Sequence, residues 1–223
     1  MKPLMSALLA SSAVMIAGSV ASAVPVTTYN DTLDTPFFPG SGNPNTGFAI
    51  TRLTEGNGNE IEVGLKSKQR YVGDANVTVD DHRYFVQPGY SQTSAGDLTP
   101  DPTRAWWNFD FSVDLGTRTL ADTEVIMTID FDGDSEGPLV INFGNDGGLG
   151  SLLQDSWNTG FGFLSTLFNP FAPGTYDFSL IVRDRGAPFP LAGVTMQTVV
   201  VPLPSAAGLA FAGMGLMGVR RRR

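Results

Sequence analysis

The chain has 223 residues, 42% of them hydrophobic, with 14 Lys+Arg against 22 Asp+Glu, a single histidine and no cysteine. Lack of thiols excludes disulfides, thiolate nucleophiles, iron–sulfur clusters and c-type haem attachment. The acid excess repels phosphate backbones and anionic headgroups, so the composition argues against a nucleic-acid partner.

Residues 1–23 have the pattern of a secretory signal peptide. Lys2 supplies a positive start, Leu4 to Val20 an apolar core, and Ala21-Ser22-Ala23 a small-residue cleavage site for signal peptidase. The mature chain then starts at Val24. Once Lys2 and the C-terminal arginines are set aside, nine basic residues face all 22 acidic ones. About 180 residues remain for the exported body, enough for one self-sufficient core.

Residues 24–200 read as one all-β domain, a two-sheet antiparallel β-sandwich of Ig-like or jelly-roll-like type. Asp34 to Thr46, with three prolines, reads as an irregular loop. The dominant period is two. Trp107-Asn-Phe-Asp-Phe-Ser-Val-Asp-Leu115 is apolar at every odd position, which predicts a strand with one face buried and the other wet. The stripes Ile61/Val63/Leu65, Val125/Met127/Ile129/Phe131 and Tyr176/Phe178/Leu180/Val182 repeat it. Shorter strands are expected over Phe48 to Leu53, Val77 to Val86, Leu139 to Phe143 and Val194 to Val200. Gln87 to Arg104 is expected to be a long loop, and Ser151 to Leu167 a short helical turn capping an open edge.

Candidate ligand chemistry is sparse. Asp130-Phe-Asp132-Gly133-Asp134-Ser135-Glu136 could aim Asp130, Asp132, Asp134 and Glu136 at one Ca²⁺, which takes six to eight oxygens. The run starts like an EF-hand loop, but position six is Ser135 and position twelve is Ile141. An acidic hairpin turn, with Gly133 at positive φ, is the competing and favoured reading. His82 lies beside Asp80 and Asp81, yet neighbouring strand residues point to opposite faces and do not converge. It is the sole histidine and no Gly-x-Ser-x-Gly elbow exists, so no serine triad and no enzyme is expected. Trp106 either offers a platform for extracellular polysaccharide or lies under a loop, the latter being favoured.

The C-terminus, residues 201–223, is the most informative stretch. Val201-Pro202-Leu203-Pro204 holds the chain extended, because proline lacks a donor and has fixed φ. Ser205 to Val219 carries no charge and can enter a bilayer as a helix, although at about 1.5 Å per residue it is short for the roughly 30 Å core. Arg220, Arg221, Arg222 and Arg223 are costly to translocate, so they stay cytoplasmic and place the body on the other side. Gly213-Met-Gly-Leu-Met-Gly218 matches a dinucleotide fingerprint only by letter, since no strand–turn–helix unit surrounds it.

Motif, helix and basic tail together resemble the PEP-CTERM sorting signal, in its VPLPA variant, with Ser205 in place of the final alanine. The resemblance implies export in a Gram-negative bacterium, cleavage near the prolines by an exosortase-type membrane enzyme, and delivery to the cell surface or extracellular matrix. The residues themselves equally allow a permanent C-terminal anchor. Gln154-Asp-Ser-Trp-Asn-Thr-Gly-Phe-Gly-Phe163, Phe168-Asn-Pro170 and Pro173-Gly-Thr-Tyr-Asp-Phe178 resemble the ectodomain that precedes many such tails. That resemblance implies no molecular activity and no cofactor.

Overall fold

The odd-numbered stripe from Trp107 to Val113 is fully buried, and it forms the centre of a core shared by two sheets. The structure, a computed structural model, describes residues 24–39, 43–71, 78–131, 137–143, 150–165, 169 and 172–201. The segments expected as signal peptide, membrane helix and basic tail, and most of the acidic turn, lie outside these residues.

The first sheet comprises β1 (Val26–Asp31), β2 (Phe48–Thr54), β3 (Glu60–Gln69), β8 (Trp107–Asp114) and β11 (Leu152–Asn158), in the order β1-β2-β3-β8-β11. In the second, β4 (Thr78–Asp80), β5 (Arg83–Val86), β9 (Thr123–Phe131), β10 (Leu139–Asn142), β12 (Gly174–Asp184) and β13 (Ala192–Val200) run in the order β10-β9-β12-β13-β5-β4. A separate ribbon pairs β6 (Tyr90–Ser94) with β7 (Asp97–Ala105), and one short helix, α1, spans Gly162–Ser165. Ile61, Val63 and Leu65 of β3 join Phe109 and Phe111 of β8 in one cluster with Met127 and Ile129 of β9, Phe178 and Leu180 of β12, and Val194 and Met196 of β13. Burying each such side chain contributes about 1.5–3 kcal/mol.

Five expectations need correction. The sheets are not wholly antiparallel, because β13 pairs with β5 in parallel. Asp81, at φ 53°, splits the expected 77–86 strand into β4 and β5 and folds one back on the other. The expected 87–104 loop is the β6–β7 hairpin, turned at Gly96 with φ 87°. Its residues are largely polar and exposed, so no apolar alternation marks it, and Pro100 and Pro102 are tolerated in so short a ribbon. Within 151–167 the turn α1 is present, but β11 precedes it and pairs with β8 from Leu152↔Asp114 to Asn158↔Asn108.

The fifth correction concerns the even-numbered residues of β8. Asn108, Asp110 and Ser112 are buried where a wet face was expected, as are Glu62, Lys66 and Lys68 on β3. A strap before β2 covers that face. Leu33 and Phe37 from the strap pack with Phe48 and Ile50 of β2 as a second apolar cluster. The strap's backbone is tied to the sheet at several points. The Asp34 amide donates to Glu62, the Phe38 amide donates to Gln154 Oε1, and Gln154 Nε2 donates to Pro36 O and Ser112 Oγ. A Cβ on Gly64 would stand 2.8 Å from Leu33 Cδ2, so glycine allows the strap its close approach.

Candidate functional site

Beneath the strap lies a buried polar band, the feature of the described chain furthest from an ordinary sandwich. Strand pairing sets Lys66 opposite Asp110 and Lys68 opposite Asn108 on β3 and β8, while β11 sets Ser156 opposite Asp110 and Asn158 opposite Asn108. Period-two geometry turns all six side chains to the same face.

Asp110 is the centre of the band. It is 0% exposed, with Lys68 Nζ 3.0 Å and Lys66 Nζ 3.9 Å from Oδ2. Burial pushes its carboxyl above the usual carboxylate range, while Lys68 and the Ser156 hydroxyl pull the other way. Neither oxygen accepts a well-aligned hydrogen bond. Lys66 is better served: Nζ donates to Pro44 O at 2.7 Å and Thr46 O at 3.1 Å, and sits 4.5 Å from the centre of the Phe48 ring. The strap thus supplies the carbonyls that hold one of two buried lysines.

Asn158 closes the far end. Its Oδ1 accepts from the Ala105 and Gly160 amides, both at 2.8 Å, and its Nδ2 donates to Ala105 O at 2.9 Å and Asn108 Oδ1 at 2.7 Å. A Cβ on Gly160 would stand 2.8 Å from Ala105 N, so the Asn158-Thr-Gly160 run packs directly on the end of β7. Trp157, on the other face, meets Phe109, Phe111 and Phe163 edge-on. The Ser-Trp-Asn-x-Gly run has a structural role here, joining band, core and ribbon.

The residues singled out in the sequence are dispersed. Asp130 faces solvent at the end of β9, directly opposite Asp177 of β12. With Thr128, Ser179, Thr195, Gln197 and His82 it rims a shallow depression of about 300 Å³. Asp132, Asp134 and Glu136 lie outside the described residues, and no group of three His, Cys, Asp or Glu that could hold a metal occurs among the described ones. β9 and β10 pair as the expected hairpin, Leu139↔Ile129 to Asn142↔Ile126. His82 sits in the β4–β5 turn, its ring 6.2 Å from that of Tyr29. Trp106 is half-buried; its amide donates to Gly89 O, and its indole lies against Gly89. Val201 is described and its amide donates to Val86 O at 2.9 Å. Pro202, Leu203, Pro204, Arg220 to Arg223, Ala21 and Ala23 lie outside the described residues.

Sequence reasoning passed over Lys66, Lys68 and Asp110. The available signal was two lysines on one face of a strand in a body poor in basic residues, facing an aspartate within the clearest strand.

Comparison of this chain with family models, with curated proteins and with solved structures finds no match in any of the three.

Proposed function

We propose that this is an exported, non-enzymatic protein of the cell surface or extracellular matrix, sorted by its C-terminal signal through an exosortase-type enzyme. The observation that carries this reading is the way the body ends. β13 lies inside its sheet between β12 and β5, and among the described residues the last backbone hydrogen bond, from Val201, is made one residue before Pro202. Cleavage at the proline motif would therefore leave every described strand in the released body. The chain also passes repeatedly between the sheets, from β3 to β4 and β5, back to β8, on to β9 and β10, then β11, β12 and β13. Mass spectrometry of the protein from the cell surface tests the reading: both termini trimmed, at Val24 and near Pro204, is the expected result, and an intact arginine tail overturns it.

A second reading, a calcium- or glycan-binding surface module, rests on Asp130 and Asp177 standing side by side in the polar depression. Melting in Ca²⁺ against chelator decides the calcium form.

A further inference from the structure

We propose that Lys68 and Asp110 form an intramolecular cross-link, in which the lysine amine and the aspartate carboxyl condense to an amide joining β3 to β8. The contact has the required ingredients. Lys68 Nζ lies 3.0 Å from Asp110 Oδ2, with both side chains removed from solvent. The Asp110 side chain is 0% exposed and that of Lys68 6%, so bulk solvent does not reach the carboxyl. Two like charges near one acid, with no well-aligned hydrogen bond to either oxygen, make a poor resting ion pair. A dry pocket beside a second ammonium is a setting in which lysine acts as a nucleophile.

The condensation balances without an oxidant or co-reactant. Proton transfer from Lys68 to Asp110 converts ammonium and carboxylate into amine and carboxylic acid, and burial favours the acid form of Asp110. The Nζ lone pair then forms a bond to Cγ. The bond from Cγ to one carboxyl oxygen breaks, and that oxygen leaves as water, carrying the acid's proton and one proton from nitrogen. Lys66, 3.9 Å from Oδ2, is placed to relay that proton. It stays held afterwards by the Pro44 and Thr46 carbonyls. The product is a neutral amide where two buried charges stood.

Such a link closes the chain across residues 68 to 110, a loop containing β4 to β7. It would restrict the unfolded chain as a disulfide does, in a protein with no cysteine.

The test is the covalent mass. The full-length chain is purified in detergent, denatured, and its mass compared with that calculated between its own sequenced termini. A deficit of one water, about 18 Da, is expected. A branched proteolytic peptide joining Lys68 to Asp110 is expected with it, and this peptide decides the matter whatever any variant does to folding. Lys68→Arg keeps a cation beside Asp110 and should restore the full mass. Full mass in the unaltered chain overturns the proposal. So does a deficit that persists in Lys68→Arg, or a loss of one ammonia, about 17 Da, mapped to an asparagine.

Discussion

Arg52 reaches from the middle of β2 to Asp31 at the end of β1, its Nη1 2.8 Å from the carboxylate. The same guanidinium donates through Nε to Asp34 at 2.9 Å and through Nη2 to Thr32 O at 2.7 Å, and stands 2.9 Å from buried Glu62. One side chain therefore ties the edge strand, the start of the strap and the middle of the sheet. Burial raises the Glu62 carboxyl, against the Asp34 amide and Arg52, which oppose the rise.

Removing that guanidinium leaves buried Glu62 without its Arg52 partner. Arg52→Ala should cost about 2–3 kcal/mol, read as a lower urea midpoint. Amide exchange at Leu33 and Asp34 should quicken with it. Pairing Arg52→Met with Glu62→Gln should recover much of the loss; a double variant no better than the single would show that Glu62 is not the cause.

The same cluster sets an acid limit. Hydrogen bonds from Thr28 and Arg52 lower the Asp31 pKa from its ordinary 3.8 to about 2. Arg118 likewise holds Glu55 below the usual range. A carboxyl whose folded pKa is depressed binds fewer protons in the folded state, so its contribution is complete above the unfolded value and is lost as pH falls through the folded one. Stability should therefore drop between roughly pH 4 and pH 2. Asp31→Asn should flatten that drop while leaving the slope above pH 6 unchanged, as measured by urea midpoints across pH.

Asn158 makes four hydrogen bonds while almost wholly buried. Asn158→Ala strands the Ala105 amide and carbonyl, and should cost about 2–4 kcal/mol. Asn158→Asp keeps the acceptor but turns a second oxygen towards Ala105 O and Asn108 Oδ1, so it should not rescue. Calorimetric melting of both variants checks this.

On the other face, Asp130 and Asp177 are like charges in directly opposed positions. If the acidic segment is only a turn, Asp130→Asn relieves repulsion and raises the melting midpoint by about 1 °C, with no difference between Ca²⁺ and chelator. A calcium-dependent rise in the unaltered chain that Asp130→Asn abolishes would favour the ion-binding reading instead.

How much could be read in advance depended on whether a residue's partner was local. Trp107 to Leu115 and Val125 to Phe131 were legible because alternation marks a half-buried strand whatever lies opposite. The acidic hairpin was legible from its flanking strands. β6 and β7 were not, since a ribbon wet on most of its surface has no apolar period. Nor was β1: Val26 to Asp31 is largely exposed and is a strand only because β2 accepts it at the sheet edge. The band was misread for the opposite reason. Lys66, Lys68 and Asp110 follow the polar rule for a wet face, and nothing within ten residues of them announces that the distant segment from Leu33 to Thr46 returns to cover it.

Alternation, glycine and proline punctuation and the absence of thiols were enough to determine an all-β body with a self-sufficient core, because those constraints act between near neighbours along the chain. Which face of the first sheet is dry, that β13 runs parallel to β5, and that two lysines meet one carboxyl beneath a strap were decided by tertiary structure alone. Burial of a polar face depends on a covering layer supplied by distant residues, and the charge of a group depends on that cover as much as on its own chemistry.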